Sequence, residues 1–352
     1  MVSMFSDAHK NCNCDSQDSE EPTVLIILVN YKRPFDTVAC IESLLNQSYR
    51  SWRCVVYENG SGDDSFLVIN SRLAESGRFI QCERKIRDGF EVGVFSKSTN
   101  LGCGTVAIVK GDENLGFAGG NNAAINFAKR FGVFGNEFVW LLNNDTVAND
   151  DALFNLIKRM RMPGAERVGL CGATLLYFGS KNIVQCFGGA RYGKWLGSVA
   201  ELGNGKTLSL LPSSAEVEPQ LSYVSGASMF ARNTFLEAVG PMCEEYFLYY
   251  EEVDWAVRGE RLGFCLGYAP DAIVWHKEGA VLGSGRAITR SPLAEHFGLS
   301  SRLLFTKKHY PLALLSIWLV GWLQFVKRIF NRQWINAKVI GNALLLKKYQ
   351  RN

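Results

Sequence analysis

Acidic and amide side chains cluster at points of this sequence where they could bind a metal ion or transfer a proton. One such group is Asn143-Asn144-Asp145, directly after an apolar stretch. A single carboxylate flanked by amides can hold a divalent cation that keeps most of its waters and bridges phosphate oxygens. The same residues are also typical of a polar turn that caps a helix, and the sequence leaves both interpretations open.

A second group places Glu251, Glu252 and Asp254 within four residues. Carboxylates this close repel one another unless a cation binds to them or a proton is transferred there, so all three are candidate catalytic groups. Arg258 follows Asp254 by four residues, and a helical ion pair accounts for Asp254 without catalysis. The two glutamates have no such neighbour.

A histidine and a glycine-rich segment complete the candidate chemistry. His276 ends a short apolar strand, which makes it a candidate metal ligand, although a lone histidine is more often structural. The segment NLGFAGGNN opens a predicted helix, where glycines permit close backbone approach and free N–H groups favour an anion. A tight turn without a ligand has the same composition. The candidate binding residues of this segment are Asn114, Gly116, Phe117, Gly119, Gly120 and Asn121.

The hydrophobic pattern predicts the elements that position these residues. Residues 24–29 form a continuous apolar stretch, typical of a strand buried on both faces of a parallel sheet. A helical pattern and a second strand, residues 52–57, follow, which together predict a right-handed strand–helix–strand unit. Open α/β sheets bind ligands at the carboxyl ends of such strands, where this chain has Asn30, Tyr31, Glu58 and Asn59.

Further strands are predicted before and after the glycine-rich segment. Residues 79–82 and 106–109 read as strands separated by a polar loop to which we assign no role. Residues 138–142 form another buried strand that leads into Asn143, and Asn149 or Asp150 is expected to cap a helix that runs to about Met160.

Seven motifs in a fixed order resemble those of glycosyltransferase family 2, of the GT-A fold, and of its bacterial rhamnosyltransferase branch. They are VNYKRP, ENGSGDDS, NLGFAGGNN, LLNNDT, SGASMFARNTFLEAVG, YYEEVDWAVRGERLG and PDAIVWHKEG. The resemblance implies an α/β fold with a Rossmann-like, mostly parallel central sheet flanked by helices. It also implies an inverting enzyme that moves a hexosyl group from a nucleotide-diphospho-sugar to a glycan or lipid-linked hydroxyl in surface polysaccharide synthesis. The branch points to dTDP-L-rhamnose as the donor.

The resemblance assigns roles to the candidate residues. Asn30, Tyr31, Glu58, Asn59, the glycine-rich segment, Asn143 and Asn144 are implied to bind the nucleotide sugar. Asp145, with His276, is implied to hold Mg²⁺ or Mn²⁺ on the diphosphate. Glu252 is implied to deprotonate the acceptor hydroxyl. The chain has Glu251-Glu252 where a Glu-Asp pair is usual, so Asp254 remains the alternative base.

The charge distribution predicts a separate C-terminal tail. Residues 299–352 contain ten Lys or Arg and no Asp or Glu, although the formal net charge of the whole chain is only +4. Residues 311–326 are apolar almost throughout and are followed by Lys327 and Arg328. A basic amphipathic helix lying on an anionic membrane is expected, with a core-packed helix and a membrane-spanning helix as alternatives.

These patterns define the expected organisation and location of the chain. Residues 1–22 are expected to be a disordered tail, and residues 23–298 a catalytic domain with a nucleotide-binding half (23–148) and an acceptor half (149–298). The cysteines in apolar stretches, and an N-terminus without a basic-then-apolar segment, favour the cytoplasm, at the inner membrane face.

Two other functions are compatible with parts of the pattern. A nucleotide-sugar pyrophosphorylase shares the nucleotide-binding half, but VNYKRP lacks the glycines of its usual phosphate-binding loop. A non-catalytic nucleotide-binding scaffold is disfavoured by the intact set of Asp145, the two glutamates and His276. No nucleic-acid partner is expected.

Overall fold

The computed structural model describes residues 22–87, 89–97, 103–132, 137–180, 182–277, 291–345 and 347. The predicted disordered tail therefore lies outside the described residues, apart from its last residue. Every structural statement below refers to the described part of the chain.

Strands and helices alternate through the first half of the chain, and a helical segment ends it. The strands are β1 (Val24–Asn30), β2 (Trp52–Glu58), β3 (Ile80–Arg87), β4 (Phe90–Ser96), β5 (Thr105–Lys110), β6 (Phe138–Leu142), β7 (Thr146–Ala148), β8 (Val168–Tyr177), β9 (Val184–Phe187), β10 (Gly189–Gly193), β11 (Ser198–Glu201), β12 (Tyr223–Val224), β13 (Ser228–Arg232) and β14 (Cys265–His276). The helices are α1 (Pro34–Leu45), α2 (Ser65–Glu75), α3 (Gly116–Arg130), α4 (Ala152–Met160), α5 (Ser214–Val217), α6 (Asn233–Val239), α7 (Glu251–Arg261), α8 (Pro292–His309), α9 (Leu314–Phe330) and α10 (Trp334–Leu344).

The central sheet is mixed, with the order β3-β4-β5-β2-β1-β6-β13-β8-β14-β7 and β9 added beside β8. The neighbours β5, β2, β1 and β6 run parallel, as the first strand–helix–strand unit predicted. Beyond β6 the pairing changes, because β13 runs antiparallel to both β6 and β8. The expectation of a mostly parallel sheet thus holds for these four strands. It needs correction for the others, whose pairs are antiparallel except for β8 with β14.

Two apolar layers cover the faces of this sheet. Alternate residues of β1 divide between them: Val24, Ile26 and Leu28 face the layer that contains α1, whereas Leu25 and Ile27 face the layer that contains α3. This division explains the unbroken apolar stretch, since a strand covered on both sides has no solvent face.

The polar stretch between the predicted strands 79–82 and 106–109 contains a hairpin. Strands β3 and β4 pair antiparallel, and β4 also pairs with β5, so the insertion extends the sheet at its edge. The helix expected from Asn149 or Asp150 begins at Ala152, and Asp151 occupies the residue before it.

The last three helices pack on the catalytic body and on each other. Leu299 and Leu303 of α8 share an apolar cluster with Ile317 of α9 and Ile340 of α10. The boundary expected after residue 298 therefore falls inside α8. Within the described residues, one helix, Pro311–Phe330, is long and apolar enough to cross a membrane, with 20 residues and a mean hydropathy of 1.4.

Candidate functional site

The carboxyl ends of β1, β2 and β6 bring the predicted nucleotide-binding residues together. Asn30 and Glu58 end neighbouring parallel strands in register. The side chain of Asn144 donates to Asn30 Oδ1 (3.3 Å) and to Thr37 Oγ1 (2.9 Å). Thr37 in turn donates to Asn30 Oδ1 over 2.8 Å. The ends of β1 and β6 are thus joined through the Thr37 hydroxyl of α1, a residue that the sequence patterns did not indicate.

A cavity of about 220 Å³ opens at this edge of the sheet. Nine residues predicted to bind donor or metal line it: Tyr31, Asn59, Asn114, Gly116, Phe117, Asn121, Asn143, Asn144 and Asp145. Phe247, Leu248 and Leu293 add apolar lining from distant parts of the chain. We call this space the donor cavity.

Asn59 fixes the shape of the glycine-rich segment. Its side chain donates to Asn114 Oδ1 (3.2 Å) and to the Gly116 carbonyl (3.0 Å), and it accepts from the Leu115 N–H over 3.0 Å. Gly116 N–H donates to Asn114 Oδ1, and Phe117 N–H to the Phe247 carbonyl. These three N–H groups are therefore already paired, so the expected attraction of an anion to the helix start cannot come from them.

Three predicted binding residues support the donor cavity without lining it. A Cβ on Gly120 would lie 2.8 Å from Val29 Cγ1, and a Cβ on Gly119 would lie 2.7 Å from Leu115 Cβ. Both glycines thus let α3 approach its neighbours closely. Glu58 is buried and accepts the Ser61 N–H over 2.9 Å. The Glu58 carboxylate thereby holds the loop after β2.

Asp145 and His276 form a buried pair at the donor cavity. His276 Nε2 lies 3.2 Å from Asp145 Oδ1, and the side chains are only 9% and 15% exposed. Antiparallel pairing of β14 with β7, and a hydrogen bond from Lys277 N–H to the Asp145 carbonyl, bring the two together. Burial raises the pKa of Asp145, but the hydrogen bond and charge of His276, with the charge of Arg33, outweigh it and lower the pKa.

This pair fits the ligands of a divalent cation. His276 Nδ1 lies 2.9 Å from Gln185 Oε1, which is an acceptor, so Nδ1 carries the hydrogen of that contact. His276 Nε2 then faces a carboxylate oxygen, and a proton or a metal cation must lie between them. Among the described residues, no group of three or more His, Cys, Asp or Glu side chains could hold a metal ion, so phosphate oxygens and water would complete the coordination.

Glu252 lines a second and larger cavity of about 660 Å³, which we call the acceptor cavity. Burial raises the pKa of Glu252 to about 7. Its neighbour Glu251 is buried, and no donor among the described residues reaches its Oε2 atom. Burial and the charge of Glu252 raise the pKa of Glu251 well above its usual range. An acid whose pKa lies near neutrality is suited to accept a proton at physiological pH.

A strained turn aims Glu252 into the acceptor cavity. Tyr249 and Tyr250 have φ angles of +67° and +76°, in the left-handed region that non-glycine residues rarely adopt. Each such residue costs about 1–3 kcal/mol and persists only where the surroundings hold it. Here α7 begins directly after the turn, and both tyrosines line the acceptor cavity with Glu252.

Asp254 lies on a different side of α7, where it is fully engaged in structural contacts. Its Oδ2 accepts from Arg258 Nε over 2.7 Å, as the four-residue spacing predicted. Its Oδ1 lies 2.7 Å from His309 Nε2 and accepts from the Tyr246 hydroxyl over 3.3 Å. Burial raises the pKa of Asp254, but His309 and Arg258 outweigh it and lower the pKa. Asp254 does not line the acceptor cavity.

We expect Asp254→Asn to destabilise the protein. Removing one partner of a buried ion pair costs about 3–5 kcal/mol, and here the loss also loosens α8 from α7 through His309. Thermal unfolding should shift to a clearly lower temperature. Glu260→Gln, an exposed change on the same helix, should leave the unfolding temperature unchanged. An Asp254→Asn protein of normal stability but without activity would contradict this structural role.

Gly226 lies close to residues of both the donor and the acceptor cavity. A Cβ on this residue would lie 3.5 Å from Phe117 Cζ, in the donor cavity, and 3.7 Å from Glu252 Oε1, in the acceptor cavity. The chain from Phe247 to Tyr250 separates the two spaces, since Phe247 and Leu248 line the first while Tyr249 and Tyr250 line the second. The candidate base and the candidate metal site thus line two neighbouring cavities, and displacement of a diphosphate requires both groups.

Comparison with known proteins identifies a matching family model and structures of similar fold. Residues 25–182 match the model of the family described as "Glycosyl transferase family 2". A mannosyltransferase from Pyrobaculum calidifontis, solved with GDP-Man and Mn²⁺, superimposes with a TM-score of 0.51 at 13% identity, covering 97% of this chain and 91% of its own. TarS residues 1–349 of S. aureus with UDP-GlcNAc gives a TM-score of 0.48 at 12% identity, covering 94% of each chain. No curated protein sequence matches this chain.

The protein is a glycosyltransferase with the GT-A fold. Its segment from β1 to β8 matches the model of glycosyl transferase family 2. The matched segment contains Asn30, Glu58 and Asn143 to Asp145. Glu252 and His276 lie beyond it, so their roles depend on the geometry described above.

Three residues of the site were missed in the sequence analysis. Thr37 lies in the predicted first helix and Gln185 in a stretch for which no element was predicted, and nothing in their local sequence indicates a contact with Asn30 or His276. Arg302 stands in the acceptor cavity. Its only sequence signal was its place in the basic tail.

Proposed function

We propose that this protein transfers a sugar, with inversion, from a nucleotide-diphospho-sugar in the donor cavity to a hydroxyl in the acceptor cavity. The observation that carries the proposal is the position of Gly226 beside both Phe117 of the donor cavity and Glu252 of the acceptor cavity. The Asp145–His276 pair lies at the donor cavity. The family and the GDP-Man bound to the mannosyltransferase of similar fold support a nucleotide sugar as donor.

Each side of the site has one task in this reaction. Glu252 accepts the proton of the acceptor hydroxyl, whose oxygen then bonds to the anomeric carbon as the bond to the diphosphate breaks. Asp145 and His276 would hold Mg²⁺ or Mn²⁺, which neutralises the charge that develops on the departing nucleoside diphosphate. The Mn²⁺ in the mannosyltransferase supports this choice of cofactor. Asn59 and Asn144 keep the walls of the donor cavity in place.

The donor and the biological setting follow from the resemblance of the motifs. We propose dTDP-L-rhamnose as the donor and a glycan or lipid-linked acceptor in the synthesis of an envelope polysaccharide. In this proposal the catalytic domain acts in the cytoplasm, and the basic C-terminal helices hold it on the inner face of the cell membrane.

A panel of nucleotide sugars tests the proposed function. A bound donor raises the unfolding temperature by mass action, so we expect stabilisation by one nucleotide sugar in the presence of Mg²⁺ or Mn²⁺, with dTDP-L-rhamnose the strongest. Formation of pyrophosphate from a nucleoside triphosphate and a sugar 1-phosphate would instead identify a pyrophosphorylase. Binding without transfer to any acceptor would favour the scaffold alternative.

Membrane attachment gives a separate prediction for the full chain. Helix α9 buries Ile317 and Gly321 against its neighbours, whereas Leu315, Leu319 and Leu323 are 68%, 51% and 71% exposed. We expect the protein to co-sediment with vesicles of equal parts phosphatidylcholine and phosphatidylglycerol. Salt at about 1 M should release it only partly, because salt screens charge but not apolar burial.

A substitution in the exposed face of α9 provides the control. Leu319→Glu should abolish co-sedimentation, since it places a charge where the acyl region would lie. Leu67→Glu, at an exposed leucine of α2, should leave co-sedimentation unchanged. Equal sedimentation of all three proteins would show that α9 does not contact the membrane.

A further inference from the structure

The wall of the donor cavity contains one cationic side chain to which the proposed function gives no role. Arg33, the residue directly before α1, lines the cavity together with Asp145. These two are the only charged side chains among the described residues that line it. Asp145 attracts a cation, whereas a guanidinium attracts phosphate oxygens directly and needs no metal ion for this. The cavity therefore contains a possible second contact for a diphosphate.

A strained turn after β1 brings Arg33 to the cavity wall. Lys32 has a φ angle of +58°, in the left-handed region that non-glycine residues rarely adopt. The Lys32 N–H donates to the Ser61 hydroxyl over 2.8 Å, which ties the turn to the loop after β2. The Arg33 carbonyl accepts from the Thr37 N–H (3.1 Å) and hydroxyl (3.0 Å). Of the two adjacent cations, Lys32 is exposed outside the cavity and Arg33 lines it.

The carboxylate that pairs with Arg33 has a second cationic partner. Arg33 Nη1 donates to Asp36 Oδ2 over 2.6 Å, and Lys277 Nζ donates to Asp36 Oδ1 over 2.5 Å. The three side chains are between 19% and 24% exposed, so water screens their charges only in part. Because one carboxylate serves two cations, the group keeps a net positive charge beside the cavity.

Arg33 has donors to spare. Its guanidinium bonds to Asp36 through Nη1, and neither Nε nor Nη2 has an acceptor among the described residues. A planar guanidinium can bind two phosphate oxygens at once. The Arg33 charge is also one of the causes that lower the pKa of Asp145, so it acts close to the candidate metal site. Since Lys277 also pairs with Asp36, Arg33 can turn to a phosphate without leaving that carboxylate unpaired.

We propose that Arg33 binds the diphosphate of the donor directly and independently of the metal ion. This inference rests on the proposed function, in which the donor cavity takes a nucleotide-diphospho-sugar, and it adds a second phosphate contact to that site. Arg33 is paired with Asp36 in the empty cavity and turns to the phosphate oxygens when the donor binds, while Lys277 keeps Asp36 paired. The guanidinium then also stabilises the charge of the departing nucleoside diphosphate.

Calorimetric binding of nucleotides to the full chain, without turnover, tests this proposal. The probes are dTDP and thymidine, which lacks the phosphates, each with Mn²⁺ and with EDTA; UDP with uridine and GDP with guanosine replace them if dTDP does not bind. With EDTA, the nucleoside diphosphate should still bind at least about tenfold more tightly than its nucleoside, because a hydrogen bond to a charged group contributes on that scale. Equal binding of the two in EDTA would show that phosphate recognition needs the metal and would overturn the proposal. Absence of binding of all three diphosphates even with Mn²⁺ would contradict the proposed function itself.

Substitutions locate the contact. With EDTA, Arg33→Gln should weaken binding of the diphosphate about tenfold or more and leave binding of the nucleoside unchanged. Arg33→Lys keeps the charge without the planar fork and should restore part of the affinity. Lys32→Gln removes the same charge from the adjacent exposed residue and should have no effect. Unchanged binding in Arg33→Gln, or an equal loss in Lys32→Gln, would overturn the proposal.

The effect of the metal separates a direct contact from an indirect one. Arg33→Gln leaves Asp145 and His276 in place, so Mn²⁺ should raise its affinity for the diphosphate by the same factor as in the wild type. Disappearance of the Mn²⁺ effect in Arg33→Gln would show that Arg33 acts through the Asp145–His276 pair, and would overturn an independent contact.

Discussion

Replacing Glu252 by Gln is expected to lower the turnover number by at least about a hundredfold, the scale that a positioned general base contributes. The change removes the group that accepts the proton while keeping nearly the same volume in the acceptor cavity. Donor binding should be almost unaffected, because Glu252 does not line the donor cavity. Transfer rate and donor affinity are measured on the same preparation.

The pH profile distinguishes a base from a residue that only shapes the cavity. Burial raises the pKa of Glu252 to about 7, and the ionised form is the one that accepts a proton. The wild-type rate should therefore rise as pH increases through about 7 and then level off. In Glu252→Gln the residual rate should lack this rise.

Two controls separate Glu252 from its neighbours. Glu260→Gln makes the same chemical change on the exposed part of α7 and should keep both the rate and its pH dependence. Asp254→Asn should show its main effect in stability, as described above. Full activity of Glu252→Gln, together with an inactive but stable Asp254→Asn, would move the base two residues along α7.

Replacing Asp145 by Asn is expected to abolish metal-dependent donor binding while the fold stays intact. Asn keeps the size of the side chain but loses the charge that faces His276 across 3.2 Å. A donor present at a hundred times its Kd adds about 2.7 kcal/mol to the free energy of unfolding. In the variant this increment should be almost absent even in the presence of Mg²⁺ or Mn²⁺, because the affinity for the donor should fall at least about a hundredfold.

The matched control for this change is Asp150→Asn. Asp150 is exposed and lies shortly after β7, outside the donor cavity. Its variant should bind the donor with the same dependence on metal as the wild type. Equal metal-dependent affinity in Asp145→Asn and in the wild type would remove Asp145 from the metal site.

The sequence by itself determined the elements that carry the donor cavity. A short apolar stretch without alternation is typical of a strand covered on both faces, and polar residues directly after parallel strands lie at one edge of the sheet. That reasoning located Asn30, Asn59 and Asn144, which the structure joins or places along one cavity. The order of the motifs predicted the family, and the family model matches residues 25–182.

Only the tertiary structure could distinguish the three carboxylates of α7. Residues one or two positions apart on a helix point in different directions, and which direction faces the cavity depends on how the helix is docked. Here the strained turn at Tyr249 and Tyr250 directs Glu252 to the acceptor cavity, and His309, 55 residues further along, holds Asp254. No local pattern contains that contact.

The roles of the glycines and of the C-terminal helices were also decided by packing. Gly119 and Gly120 read as phosphate contacts in sequence, but each is needed because a Cβ would collide with a neighbouring side chain. The basic tail read as a separate segment, yet α8 supplies Arg302 to the acceptor cavity and α9 supplies Lys327. Charge composition predicts that a segment binds an anionic partner. The position of each charge relative to Glu252 is fixed only when α8 and α9 pack against the catalytic body.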